Sequence, residues 1–187
     1  DSLTTIYGYL TIVDNHAKNL VGFEALEEIW DDLYIDENDS LRNLEGLGHL
    51  RLVYGTLWIT DNPNITSLSG LSSLIEVGSL QVKDNPSLQS FSGLENLATI
   101  KRNINISRND QLVDIRGLSQ VTTFEGDVTV FLNKMLPSIL GLEHLNSADI
   151  TNLNLLGSEK LTECTIESIC NYLYYGGPYT ISGNDHG

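Results

Sequence analysis

The sequence predicts a mainly β fold, a right-handed parallel β-solenoid of about eight coils of 23–26 residues with a short C-terminal helix. Three observations predict it. The pattern Leu-x-Ile-x-x-Asn recurs almost to the end of the 187-residue chain. Asn fills seven of the eight places in its column, and a glycine column keeps the same register. No linker or low-complexity stretch interrupts the period, so residues 1–187 read as a single domain.

The first position of the pattern is taken by Leu10, Leu33, Leu57, Leu80, Ile104, Val128, Leu153 and Tyr179, in steps of 23, 24, 23, 24, 24, 25 and 26 residues. Two residues later stand Ile12, Ile35, Ile59, Val82, Ile106, Val130, Leu155 and Ile181. Such a triplet alternates inward and outward as a short strand does. One coil cannot bury its own apolar edge, but a stack of coils buries a continuous column. The Asn column is Asn15, Asn38, Asn62, Asn85, Asn109, Asn133 and Asn184, with Ser158 as the exception. An inward amide there can bond backbone groups of its own and neighbouring coils that burial would leave unpaired, which predicts a structural asparagine ladder.

Gly22, Gly46, Gly70, Gly93, Gly117 and Gly141 mark a place where a side chain would clash or the backbone needs a positive φ. Leu3, Ile6 and Gly8 match the closing part of a repeat, so the chain starts mid-coil. The first full coil loses one residue between Asn15 and Leu20 and is the least regular. Stacked at one strand spacing, eight coils make a rod roughly 35 Å long, right-handed by the crossover rule.

The last repeat changes. Apolar residues at 166, 169, 170 and 173 have the spacing of one helix face, which predicts a capping helix over 165–174. Thr165 is the expected N-cap and Gly176-Gly177-Pro178 the stop. A last strand is expected over 179–184.

Composition excludes several classes of function. At 41% hydrophobic and 19% charged residues, the chain is too apolar for disorder. The net charge of −15 repels phosphate backbones, so nucleic acid is excluded as a partner. No apolar run approaches the roughly 18 residues of a membrane span, so no transmembrane segment is expected in this chain. The opening Asp1-Ser2-Leu3 has no initiator Met and suggests a mature or excised fragment.

A coil reading G-x-L-x-I-x-x-N-x-x-L-x-x-L-x-G-L-x-x-L resembles the receptor L-domain, the ligand-binding module of insulin and epidermal growth factor receptors. The leucine-rich-repeat-like secreted and surface proteins of Bacteroidetes are more similar still. Cys164-x5-Cys170-Asn171-Tyr172-Leu173, followed by Ile181-x-x-Asn184-Asp185-x-Gly187, is similar to the C-terminal coil of that group. The resemblance covers essentially the whole chain. It implies an exported, non-catalytic binding domain at the cell surface or outside the cell, and it names no ligand. In that bacterial group a Cys commonly follows the Gly, which keeps open a clamp to Cys170 in an oxidising compartment.

No pattern in the chain points to catalysis, a cofactor or a metal. Cys164 stands in a column otherwise filled by apolar residues and reads as a buried thiol. His16, His49, His144 and His186 are scattered over unrelated coils and read as surface residues. Phosphate-loop, dinucleotide, nucleophile-elbow and zinc-protease motifs are absent. Asp31-Asp32 and Asp36-Glu37 are consecutive residues on turns and read as hydrated. Asp36-Glu37-Asn38-Asp39 lacks the glycine and closing Glu of a calcium loop. Of the sequons at Asn38, Asn64 and Asn105, the first lies in the inward column and could not carry a glycan.

The surface feature that stands out is aromatic. Tyr7, Trp30 and Tyr54 stand three residues before successive strand starts, and Tyr34 and Trp58 hold the outward strand position. Stacking at about 4.8 Å would turn these columns into neighbouring rows. Later coils put Gln81, Asn105, Thr129, Lys101 and Glu125 at the same places. Residues 1–60 hold 11 acids and 3 bases, whereas residues 80–120 hold 4 and 5. Aromatics favour strands in any case, but exposed clusters are enriched in interfaces. The five aromatic residues are therefore the candidate ligand site, for a protein or a neutral glycan. The rival readings are a structural spacer without a ligand and, more remotely, a β-helix polysaccharide lyase.

Overall fold

The computed structural model describes residues 3–161 and 166–184. It is mainly β, a parallel β-solenoid with one short helix. The strands are β1 (Thr5–Ile6), β2 (Leu10–Val13), β3 (Glu28–Ile29), β4 (Leu33–Asp36), β5 (Leu52–Thr60) and β6 (Glu76–Lys83). They continue as β7 (Thr99–Ile100), β8 (Ile104–Ser107), β9 (Thr123–Phe124), β10 (Gly126–Phe131), β11 (Ile150–Leu156) and β12 (Tyr179–Ser182). Two rows run along the stack. The long row pairs Leu10, Leu33, Leu57, Leu80, Ile104, Val128, Leu153 and Tyr179 in sequence, all parallel. The short row pairs Thr5, Glu28, Leu52, Glu76, Thr99 and Thr123. Eight strands in the long row enclose about seven turns, against the count of about eight coils that the repeat predicts. The last strand ends at Ser182, short of the expected 184, because the backbone turns at Gly183 with φ +69°.

Alternation along each strand puts one side chain in the core and the next outside. In β5, Val53, Leu57 and Ile59 are fully buried, and so are Ile65, Leu68, Leu71 and Leu74 of the same coil. Each is worth about 1.5–3 kcal/mol of apolar burial.

The Asn column sits at the turn after each long-row strand. Asn85 Oδ1 accepts from the Asn62 backbone N–H at 3.1 Å, and its Nδ2 donates to the Ile59 and Lys83 carbonyls at 2.8 and 2.9 Å. Asn38, Asn62, Asn109 and Asn133 reach back the same way, to Ile12, Ile35, Val82 and Ile106, and all five are buried. Ser158 accepts from Asn133 N–H at 3.2 Å. Half-buried Asn184 accepts from Ser158 N–H and donates to Leu155. Asn15 departs from the expected inward place: it is exposed, and its Oδ1 accepts from Ala17 N–H of its own coil, where the buried amides accept from the coil before.

The residue before each Asn takes a left-handed backbone: Asp14, Glu37, Asp61, Asp84, Arg108 and Leu132 have φ between 46° and 55°. Asp61 lines an open groove of about 550 Å³ with Asp14, Glu37, Asp39, Pro63, Asp84 and Pro86. Desolvation first, then the charges of Asp84 and Asp36, push its carboxyl above the ordinary 3.8. A carboxyl that holds its proton more tightly folded than unfolded costs stability as pH rises from about 3.8 through the raised value. The Asp61→Asn variant keeps a residue that tolerates this backbone. Urea unfolding at pH 3 and pH 7 should show its advantage over wild type growing with pH.

The helix α1 (Glu167–Tyr174) lies beside the last coils. The structure puts Ile166, without a side-chain cap bond, at the N-cap position expected for Thr165, so the helix starts later than predicted; Thr165 and Cys164 lie outside the described residues. Ile166, Ile169 and Tyr172 are buried, while Cys170 is exposed. Tyr172 takes the inward place expected of Cys170, since its hydroxyl reaches the Pro178 and Thr151 carbonyls at 2.5 and 3.2 Å.

Candidate functional site

Tyr7 and Trp30 directly follow β1 and β3, Tyr54 lies in β5, and Tyr34 and Trp58 hold the outward place in β4 and β5. Trp30 meets Tyr7 edge to face at 5.2 Å between ring centroids and Tyr54 at 6.0 Å. Tyr34 and Trp58, paired across β4 and β5, stack at 5.9 Å with planes 10° apart. Parallel register alone produces these contacts, since partners in one column sit one strand spacing apart. The two rows differ in exposure. Tyr7, Trp30 and Tyr54 are 78%, 54% and 40% exposed, whereas Tyr34 and Trp58 are half-buried. Tyr9, two residues after Tyr7 in the chain, is also exposed.

Polar groups fix this face. The Tyr34 hydroxyl donates to Asp32 at 2.7 Å, and that bond, more than the partial burial, raises the phenol above its usual value. The other Asp32 oxygen accepts from Thr56 N–H at 2.6 Å. The Trp58 indole N–H is buried with no hydrogen-bond partner among the described residues.

The row of exposed rings ends in a cation. Lys101 Nζ lies 5.5 Å from the Tyr54 ring centroid and 2.5 Å from Glu76. The lysine can reach Tyr54 because the coil between them lost a residue. Three residues lie between Val53 and Leu57, but two between Val77 and Leu80, and the pairing shifts there. Gly78 fills the gap, where an added Cβ would come within 2.4 Å of the Tyr54 carbonyl oxygen and 2.7 Å of Arg102. Sequence reasoning placed Lys101 in this column but missed its contact with Tyr54. The signal was the 23-residue step from Leu57 to Leu80.

Two of the scattered histidines also have a shared task that the sequence reading missed. His49 Nδ1 approaches the Glu24 carbonyl at 2.6 Å, and His144 Nδ1 the Ser119 carbonyl at 2.7 Å. Ser73 and Asn96, in the same column, bond the carbonyls of Gly48 and Ser72. These side chains tie each coil to the one before it. Among the described residues, no group of three or more His, Cys, Asp or Glu is placed to hold a metal ion. Nor is any described helix long and apolar enough to cross a membrane.

The first coils of the parallel solenoid thus carry an outward row of exposed aromatic rings. Residues 3–91 match the family model described as the receptor L domain. The match covers just under half of the chain and contains all five candidate aromatic residues. Beyond it, the same strand register continues through Ile104, Val128, Leu153 and Tyr179. No curated protein matches the chain.

Proposed function

We propose that the chain is one non-catalytic, exported recognition domain of the receptor L-domain kind, which binds a protein partner through the aromatic face of its N-terminal coils. The observation that carries this reading is the run Tyr7–Trp30–Tyr54, three large rings that pack on one another while staying 78%, 54% and 40% exposed. Rings held in this way present apolar area with little rotamer freedom left to lose on binding. The match of residues 3–91 to a family of receptor modules supports a binding role. Acids around the rings favour a neutral or basic partner and disfavour anionic glycans.

The spacer reading keeps one observation in its favour, since the rings already satisfy one another within each row. An array of surface proteins and glycans, probed with wild type and with Trp30→Ala/Trp58→Ala, separates the two. Binding to a protein that falls at least about tenfold in the double variant supports the proposal. Undiminished binding removes this face from consideration. A blank array favours the spacer.

A further inference from the structure

We propose that the occupant of this face is a basic segment of the partner protein, whose lysine or arginine side chain lies over Trp30 with Glu28 and Asp31 beside it. The inference rests on the recognition reading above and names the chemistry of its partner.

The chain already fills one such slot with a residue of its own. Lys101 sits over Tyr54 at 5.5 Å and pairs with Glu76 at 2.5 Å, so a ring, a carboxylate and a cation are assembled on the outside of the sheet. Similar parts recur toward the N-terminus, with the ring one coil back and the carboxylate two, so that here both stand on the same strand end. Trp30 neighbours Tyr54 at 6.0 Å, is 54% exposed, and is the ring type that binds cations best. Glu28 belongs to the same short row as Glu76, with Leu52 between them, and stands two residues before Trp30, on the same side of the strand. Asp31 is exposed directly after Trp30. The ring and the carboxylates of a second slot are therefore present, and the two cations that the structure places over rings, Lys101 and Arg108, sit over Tyr54 and Phe131. The field agrees with the geometry, since residues 1–60 carry 11 acids against 3 bases. Such a surface steers a cationic segment toward it and repels a phosphorylated or sulfated one.

A short peptide of alternating lysine and glycine is the probe, with its lysine-acetylated form as control. Binding is read by fluorescence polarisation at low salt and again at about 0.5 M, where screened attraction falls away. Wild type should bind the lysine peptide saturably and the acetylated one far more weakly. Trp30→Ala leaves the net charge unchanged and should weaken binding about fivefold or more if the ring supplies the contact. Glu28→Gln should weaken it more than Asp110→Asn, which removes an equal charge from a later coil. Lys101→Met should tighten binding, because it frees Tyr54 and Glu76 for the peptide. Melting curves of each variant check folding, and Trp30 is exposed enough for its alanine variant to fold.

Equal binding of the acetylated peptide, or an unchanged affinity in Trp30→Ala, overturns the proposal. The array distinguishes this failure from failure of the recognition reading. Partners that lose binding in the double variant yet engage through neutral or acidic segments, or through glycan, leave the face as a site and remove the cationic occupant. Partners indifferent to the double variant remove both.

Discussion

Replacing Asn85 by Leu should lower folding stability by about 2–6 kcal/mol, from two buried backbone groups losing partners at about 1–3 kcal/mol each, while a third, part-buried, is left to water. The three groups are the Asn62 N–H and the Ile59 and Lys83 carbonyls. Asn85 itself is fully buried, so no water can replace the amide without opening the stack. Leu shares the branching of Asn at Cγ but is bulkier, so overpacking at this buried place adds to the polar loss. Gln81→Ala, at a half-buried outward place in the preceding strand, should shift stability by less than about 0.5 kcal/mol. Urea unfolding of the two variants checks the contrast, and equal midpoints would refute the role assigned to the amide.

A comparable loss is expected in the glycine column, where two members, with Gly48 outside it as reference, separate backbone strain from collision. At Gly70 φ is +117°, and an added Cβ would lie 2.4 Å from the Leu44 carbonyl carbon and oxygen. The backbone of the preceding coil cannot yield without moving its own hydrogen bonds, so Gly70→Ala should cost about 4 kcal/mol or more. Gly22 has nearly the same φ, +118°, but nothing within 4 Å of the added carbon. Its alanine variant should show the strain alone, about 1–3 kcal/mol. Gly48 has neither strain nor neighbour, and Gly48→Ala should stay within about 0.5 kcal/mol of wild type. Melting temperatures in the order Gly48, Gly22, Gly70 from highest to lowest would support this division.

The columns of this protein were legible because each repeat is a measuring stick for the next. Counting from Leu10 to Tyr179 predicts which residues pair, and pairing in turn predicts that Tyr7 lies near Trp30 and Tyr34 near Trp58. What the count did not carry was anything set by a single insertion, deletion or boundary. The residue missing before Leu80 lets Lys101 pass over Gly78 to Tyr54; the 23-residue step shows that a residue is lost, and the pairing shift shows where. The exposure of Asn15 goes with an amide turned to Ala17 of its own coil, which its identity does not encode. The left-handed residue before each Asn was hidden for a different reason. Four of the six are acids, Asp14, Glu37, Asp61 and Asp84, but Arg108 and Leu132 take the same angle without that chemistry, so the common feature is a backbone angle imposed by the turn. At the helix, spacing alone could not tell that the Tyr172 hydroxyl would find two carbonyls and displace Cys170 from the inward side.

The direction of the asparagine bonds has a consequence for the chain while it is being made. Each amide serves the coil before its own: Asn85 completes the turn at Asn62, and Asn109 completes the turn at Asn85, from 23 and 24 residues downstream. A ribosome delivers the N-terminal end first. A coil that has just emerged therefore holds its N–H and carbonyl groups open to water until the next asparagine appears, and consolidation trails synthesis by one repeat. The order of assembly is written into the hydrogen bonds: each coil is finished by its successor.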